Sequence, residues 1–278
     1  MDSIVVIIVL SAALLHSTWH AIIKRAEDRI AGLAGMNVVS MLAALCCLPW
    51  VGTPKPVIWL ILVGSVILHN AYKLALARLY RYGDLSHSFP MARGMSPLAA
   101  TVLAMIFLGQ IPNANHLFGV VVICGGLFCL SLESGTYVAS KTIIMAAVTG
   151  LSVGAYSVID GYGVRLSEDW VAFTVWLVLL DGGAFVLLSH SVLRPDLWAT
   201  LRKTWRITLF SGILGVISFS VFLWALVRAP VGPVAALREV SVLFASMIGV
   251  TVLGERFSLW RLAGAALVTA GVGVLALL

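Results

Sequence analysis

Apolar residues run through this chain in blocks of about 18 to 22, and polar residues collect in the short gaps between them. Each block is long enough to cross a hydrocarbon core of about 30 Å as a helix. The pattern predicts ten spanning helices, over 4–24, 30–51, 56–82, 85–109, 114–133, 141–163, 169–190, 204–228, 231–254 and 258–277. Gaps such as "GTPKP", "QIPNAN" and "VRAPVGP" carry the Pro, Gly and Asn of turns. The longest gap, "RPDLWATLRKTW", is basic with two tryptophans and suits a segment lying along the headgroups. A transmembrane β-barrel needs segments of about 10 residues that alternate in polarity, and these blocks do not alternate. The first block has no basic residue before it and a long apolar stretch, so it reads as a retained helix rather than a cleaved signal.

The fourth and fifth segments resemble the ninth and tenth. "MARGMSPLAATVLAMIFLGQ" lies over "ALREVSVLFASMIGVTVLGE" at a constant offset of 145, so Arg93 meets Arg238, Ser96 meets Ser241, Ala100 meets Ala245 and Gly109 meets Gly254. Further on, Gly119 meets Gly264 and Gly126 meets Gly271. At the front ends Tyr156 answers Trp19, and Glu168–Asp169 answers Glu27–Asp28 across a gap. The chain therefore divides into two five-helix repeats, 1–135 and 136–278. Five is odd, so the two repeats run in opposite directions through the membrane. The expected fold class is an all-α membrane protein, ten transmembrane helices as two inverted five-helix repeats around a central cavity. Secondary transporters use that arrangement, with the site near the midplane.

Ten spans in two halves, with a Gly-[Gln/Glu] step closing the fourth helix of each ("LGQ" at 108–110, "LGE" at 253–255), resemble the EamA branch of the drug/metabolite transporter superfamily. The resemblance implies transport of amino acids, nucleotide sugars, phosphorylated metabolites or drugs. Length and aromatic content suggest the amino-acid exporters, including the aromatic amino-acid (YddG-like) group. Gln110 departs from the pattern, because the second half has Glu255 there.

Composition agrees with a polytopic chain: 278 residues, 61% hydrophobic, only 11% charged, mean hydropathy +1.05. The net charge of +6 is no nucleic-acid footprint, because the cations stand at helix ends or singly inside helices. Charge bias does set topology. The connections after helices 1, 3, 5, 7 and 9 carry twelve cations: Lys24, Arg25, Arg29, Arg78, Arg81, Lys141, Arg194, Arg202, Lys203, Arg206, Arg256 and Arg261. The other side has three, Lys55, Arg165 and Arg228. This puts the odd connections in the cytoplasm and both termini outside, whereas the family resemblance implies cytoplasmic termini. Cys46, Cys47, Cys124 and Cys129 lie inside apolar segments without zinc-ligand spacing and read as small buried hydrophobes.

An ion at the centre of a spanning helix costs about 2.5–3.5 kcal/mol, so each is a site candidate, weighed against snorkelling from a helix end. His69 and Lys73 share one face, beside Asn70 and Tyr72. Arg93 and Arg238 lie about 11–12 Å below their helix ends. Ser86, Pro90, Arg93, Pro97 and Thr101 form one polar, irregular face, and Glu239 is a local partner for Arg238 or the element in which the halves differ. Asp160 follows Tyr156 and Ser152 on one face near a helix end, open to water or to a site. Asp181 is near its helix centre, placed to meet a cation from another helix or to carry a proton. His16 and His20 flank Trp19. They offer cavity lining, proton coupling or a metal pair lacking a third ligand. Trp19, Tyr72, Tyr156, Trp176 and Trp224 are deep enough to wall a pocket, while Tyr80, Tyr82, Trp50, Trp170, Trp198 and Trp205 read as interfacial anchors. Gly150 and Gly154 mark a close helix contact.

A secondary transporter of small metabolites, most plausibly an exporter of amino acids including aromatic ones, is the leading expectation. It sits as a multi-pass protein in a bacterial inner membrane. No Walker A pattern is present, and no cofactor is indicated. Proton coupling stays open. An intramembrane enzyme acting on a lipid or isoprenoid, or a channel, is the alternative, although the paired acidic motifs or H-E-x-x-H of such enzymes are missing.

Overall fold

The computed structural model describes residues 1–24, 29–82, 85–132, 140–193, 196–253 and 258–277, with the side chains of 24, 29, 77, 80–82, 85–88, 192–193 and 248–253 set aside. Arg25, the Glu27–Asp28 pair, Arg194, Gly254, Glu255 and Arg256 lie outside the described residues. So do the side chains of Lys24, Arg29, Tyr80, Arg81, Tyr82 and Ser86.

Helices account for the architecture: α1 (Ser3–Lys24), α2 (Arg29–Cys47), α3 (Pro56–Tyr82), α4 (Leu85–Leu108), α5 (Ala114–Ser131), α6 (Ser140–Leu166), α7 (Trp170–Leu188), α8 (Leu197–Arg228), α9 (Val231–Glu239), α10 (Ser241–Leu253) and α11 (Leu259–Leu277). No strand occurs among the described residues. Nine of these helices are singly long and apolar enough to span a membrane. The tenth crossing is shared by α9 and α10, which meet at a turn on Val240. There the bonding tightens, with Val240 N–H donating to Leu237 O at 3.2 Å.

"RPDLWATLRKTW" is helical from Leu197 onward and meets the rest of α8 at a kink at Thr204 (φ −109°, ψ 15°), so it forms a separate arm before the spanning part of that helix. Trp198 and Trp205 are both exposed there, as interfacial anchors would be. The cysteines need a correction. Cys124 is buried, but Cys46 and Cys47 are exposed at the end of α2, on the outside of the bundle.

Turn chemistry explains where helices begin and end. Asp169 caps α7, its carboxylate accepting from Val171 N and Ala172 N at 3.0 Å each. Asn113 caps α5 in the same way through His116 N. Gly109 takes φ +63°, a left-handed turn that ends α4 and that residues with a Cβ resist. The next residue, Gln110, reaches across to accept from Val231 N at 3.0 Å. The Gly-Gln step thus ends one helix and satisfies the first N–H of α9.

The repeats interlock. The third helix of the first repeat, α3, packs on α6, and its counterpart α8 packs on α1. Contact between α5 and α11 shows the inversion directly. An added Cβ on Gly119 would lie 3.2 Å from Gly271 O, and one on Gly126 would lie 2.8 Å from Gly264 O. As α5 advances from 119 to 126, its partner retreats from 271 to 264, so these equivalent helices run antiparallel. The four glycines are the two pairs that the offset of 145 superimposes. Gly150 and Gly154 do the same service for α6, against Ala92 O at 2.6 Å and Ala99 Cβ at 2.7 Å on α4.

Packing is uneven between the two ends of the bundle. Toward the even connections one large apolar core joins Val5, Val9, Ile58, Leu62, Val164, Phe173, Leu223, Leu226 and Val231. Gln110 and Arg165 pin the loop before α9 at that end, the latter donating to Ala229 O at 2.7 Å. Toward the odd connections that core continues along α5 and α10 through Leu130 and Leu243, and smaller clusters such as Leu76, Leu79, Ala92 and Ala146 stand beside it. A cavity occupies the space between them.

Candidate functional site between the repeats

Eight helices line this cavity, and all of them but α2 bring ionisable groups or aromatic rings to it. Its lining includes His16, Trp19 and His20 of α1; Asn37 of α2; His69, Tyr72 and Lys73 of α3; Arg93 of α4; Tyr156 of α6; Asp181 of α7; Ser218 and Phe219 of α8; and Arg238 of α9. Helical periodicity explains the selection. Residues 16, 19 and 20 share one face of α1, and residues 65, 69, 72 and 73 share one face of α3. Pro97 adds an irregularity on α4. Lacking an N–H, it leaves Arg93 O without its helical donor, and Ser96 Oγ bonds that carbonyl instead at 3.1 Å.

Arg93 is at the centre. Its guanidinium is 2% exposed and Glu239 is 1% exposed. Nη1 donates to both carboxylate oxygens of Glu239, at 3.0 and 3.2 Å. Nη2 donates to Tyr72 Oη at 2.9 Å and faces His16 Nε2 at 3.5 Å. Glu239 therefore neutralises an arginine 146 residues away in the other repeat, not its neighbour Arg238. Phe89 and Tyr72 present ring faces to Arg93 at 4.9 and 5.7 Å. His16 Nε2 also lies 3.1 Å from His20 Nε2, and His20 stacks on Trp19 at 3.7 Å. Arginine only donates, so His16 Nε2 is the acceptor in its contact with Arg93.

A second pair closes the side formed by α2, α3 and α7. Lys73 Nζ donates to Asp181 at 2.7 Å and to Asn37 at 3.0 Å, and Asn70 donates to the other Asp181 oxygen at 3.0 Å. Lys73 thus points inward and not to the headgroups. Deeper still, Asp160 is wholly buried. It accepts from Ser65 Oγ and bonds His69 Nε2 at 2.9 Å. His69 in turn stacks on Tyr156 at 4.0 Å, and Arg238 donates to the Tyr156 hydroxyl.

Eleven of the thirteen residues singled out from sequence gather in this cluster. Asp160 and Glu239 lie behind the lining rather than in it, bonded to His69 and Arg93. Trp176 and Trp224 stand apart. Trp176 Nε1 donates to Gly52 O at the bundle's edge at 3.1 Å, and Trp224 lies in an outer groove with Trp170 and Ile217, under the Arg228 guanidinium. Both read from sequence as deep enough to wall a pocket; instead they meet a connection and helix ends on the outside of the bundle. Ser65, Asn37, Ser218 and Phe219 belong to the site but carry no signal of their own, since a lone Ser or Asn in an apolar run is common. Among the described residues no three His, Cys, Asp or Glu side chains form a group able to hold a metal.

Comparison with known proteins places this geometry. A search of curated proteins finds no match. Among solved structures 28 chains match. One of them, titled only as the crystal structure of a protein, superposes with a TM-score of 0.78 over 99% of this chain and 96% of that one, at 16% identity. A likeness at that identity speaks for the fold alone. The profile of the EamA-like transporter family matches twice, over residues 3–132 and again over 140–277, and so spans nearly the whole sequence. With an all-helical bundle, inverted packing and polar groups converging between two halves, the chain belongs to the EamA-like transporter family, and it is a multi-pass membrane transporter of small molecules rather than an enzyme.

Proposed function

We propose that this chain is a secondary transporter that works by alternating access, that its cargo is amino acids, aromatic ones included, and that it exports them across a bacterial inner membrane. One observation carries the reading: the cavity's lining lies at the middle of the bundle and toward the odd connections, while the half toward the even connections is filled by apolar core. Pseudo-symmetric repeats supply both arrangements from equivalent helices, so exchanging them moves the opening to the other side. The moving units are the repeats 1–135 and 136–278. By the charge bias of the connections, the cavity lies toward the cytoplasmic side, where an exporter loads.

The walls suit such cargo. Trp19, His20, Tyr72, Tyr156 and Phe219 offer ring faces to an apolar body, Lys73, Asp181 and Arg238 offer charge to its polar end, and Arg93 orders Tyr72 and His16 in the wall. His16, Glu239 and Asp160 act through these groups. The His16–His20 and His69–Asp160 contacts offer a place for a coupling proton. The resemblance to amino-acid exporters supports the direction.

A thermal-shift screen of detergent-purified protein against a metabolite panel tests the cargo. A ligand at about a hundred times its Kd stabilises the native state by about 2.7 kcal/mol. Aromatic L-amino acids are expected to raise the melting temperature by several degrees and their D-enantiomers less. A shift confined to nucleotide sugars or sugar phosphates would overturn the assignment.

A further inference from the structure

We propose that Arg238 is the group that receives a carboxylate of the transported molecule, so that the site selects compounds with a free carboxylate over their amides. This rests on the cavity being the substrate site.

Charge pairing in the interior leads to it. Of the three interior cations, Lys73 is met by Asp181 at 2.7 Å and Arg93 by Glu239 at 3.0 Å. The third interior carboxylate, Asp160, is taken by Ser65 and His69. Among the described residues Arg238 has the Tyr156 hydroxyl and no carboxylate, and its Nε has no hydrogen-bond partner. Yet it is only 7% exposed and lines the cavity. A buried guanidinium without a counter-ion is costly, and an anionic ligand removes that penalty.

Geometry favours a carboxylate in particular. The guanidinium carbon lies 4.2 Å from the centre of the Phe222 ring and 5.4 Å from that of Tyr156. These rings hold the plane of the group and accept no strong hydrogen bond. The fork of N–H groups matches a carboxylate's two oxygens. Arg93 cannot serve in this way, because Glu239, Tyr72 and His16 surround it. The difference has a source in the sequence: the first-repeat position that corresponds to Glu239 is Gly94, which brings no carboxylate. Duplication supplied two arginines and the second repeat alone added an acid. One arginine became a tie between repeats and the other was left for cargo.

Equilibrium binding to the purified full chain decides the matter, with L-phenylalanine, 3-phenylpropanoate and L-phenylalaninamide as probes. The wild type is expected to prefer the two carboxylates, and Arg238→Gln to weaken them by about 100-fold, the range of a charged hydrogen bond, while the amide changes less than about twofold. Arg238→Lys keeps the charge but loses the fork, and an intermediate loss of about tenfold is expected. It also decides the question if Arg238→Gln does not fold. A carboxylate preference that persists in Arg238→Gln, or is undiminished in Arg238→Lys, overturns the proposal while leaving the cavity as the site. Failure of all three probes to bind the wild type overturns the aromatic amino-acid reading itself, and this assignment with it.

Discussion

Glu239→Ala is expected to destabilise the protein by about 3–5 kcal/mol, the range for removing one partner of a buried ion pair, and to abolish transport. Arg93 would remain 2% exposed with only Tyr72 and His16 as neutral partners. Its charge would then face low-dielectric surroundings without compensation. The loss differs from that of a surface ion pair such as Lys55–Glu168, whose side chains are 63% and 78% exposed and whose removal should change stability by less than about 1 kcal/mol. Replacing both buried partners separates the two roles of the pair. Arg93→Met with Glu239→Leu keeps an apolar volume between the repeats and removes both ions, so much of the stability should return. Transport should not return, because the charge that organises Tyr72 and His16 is gone. Thermal melting in detergent, read beside flux in liposomes, checks both parts. A Glu239→Ala protein that melts within a degree of the wild type would show that the pair does not hold the repeats together.

Gly126→Val should disrupt the contact between the repeats' last helices. Its Cβ would fall 2.8 Å from Gly264 O and 2.9 Å from Val268 N, both backbone atoms that no rotamer change can move aside. Overpacking of this sort costs about 1–3 kcal/mol and more where backbones must separate. The strain would spread to Gly119 and Gly271, which meet on the same seam. Gly125 is the internal control. A Cβ there meets nothing within 4 Å, so Gly125→Ala should be neutral or stabilise by about 0.5–1 kcal/mol through helix propensity. Monodispersity on gel filtration and melting temperature report the outcome. Equal behaviour of the two variants would contradict the role given to the α5–α11 seam.

How much of this was legible in the sequence varies from feature to feature. The spans were, because each needs about 20 apolar residues and little else. Their number and the inversion followed from the repeated Arg, Ser and Gly at the offset of 145. The pairing of charges was not. Arg238 and Glu239 are neighbours in sequence, but adjacent side chains on a helix diverge by about 100°, which sends Glu239 to the other repeat and Arg238 to Tyr156. The turn at Val240 sits immediately after them with no Gly or Pro to announce it. Gln110 stands out only as the residue that faces Glu255 in the comparison of the halves; its use, as a cap on α9, depends on a contact between repeats. The acidic pair Glu168–Asp169, read in the sequence only as a match to Glu27–Asp28, supplies in Asp169 the cap of α7.

Exchange across a bilayer tests the central claim most directly. Purified protein in liposomes preloaded with unlabelled L-phenylalanine would be given labelled L-phenylalanine outside. Alternating access around the cavity between repeats predicts saturable, stereoselective uptake, accelerated by the internal substrate and lowered at least about tenfold by Arg93→Ala and by Asp181→Asn. Flux that rises linearly with concentration, ignores stereochemistry and is unchanged in both variants would contradict it.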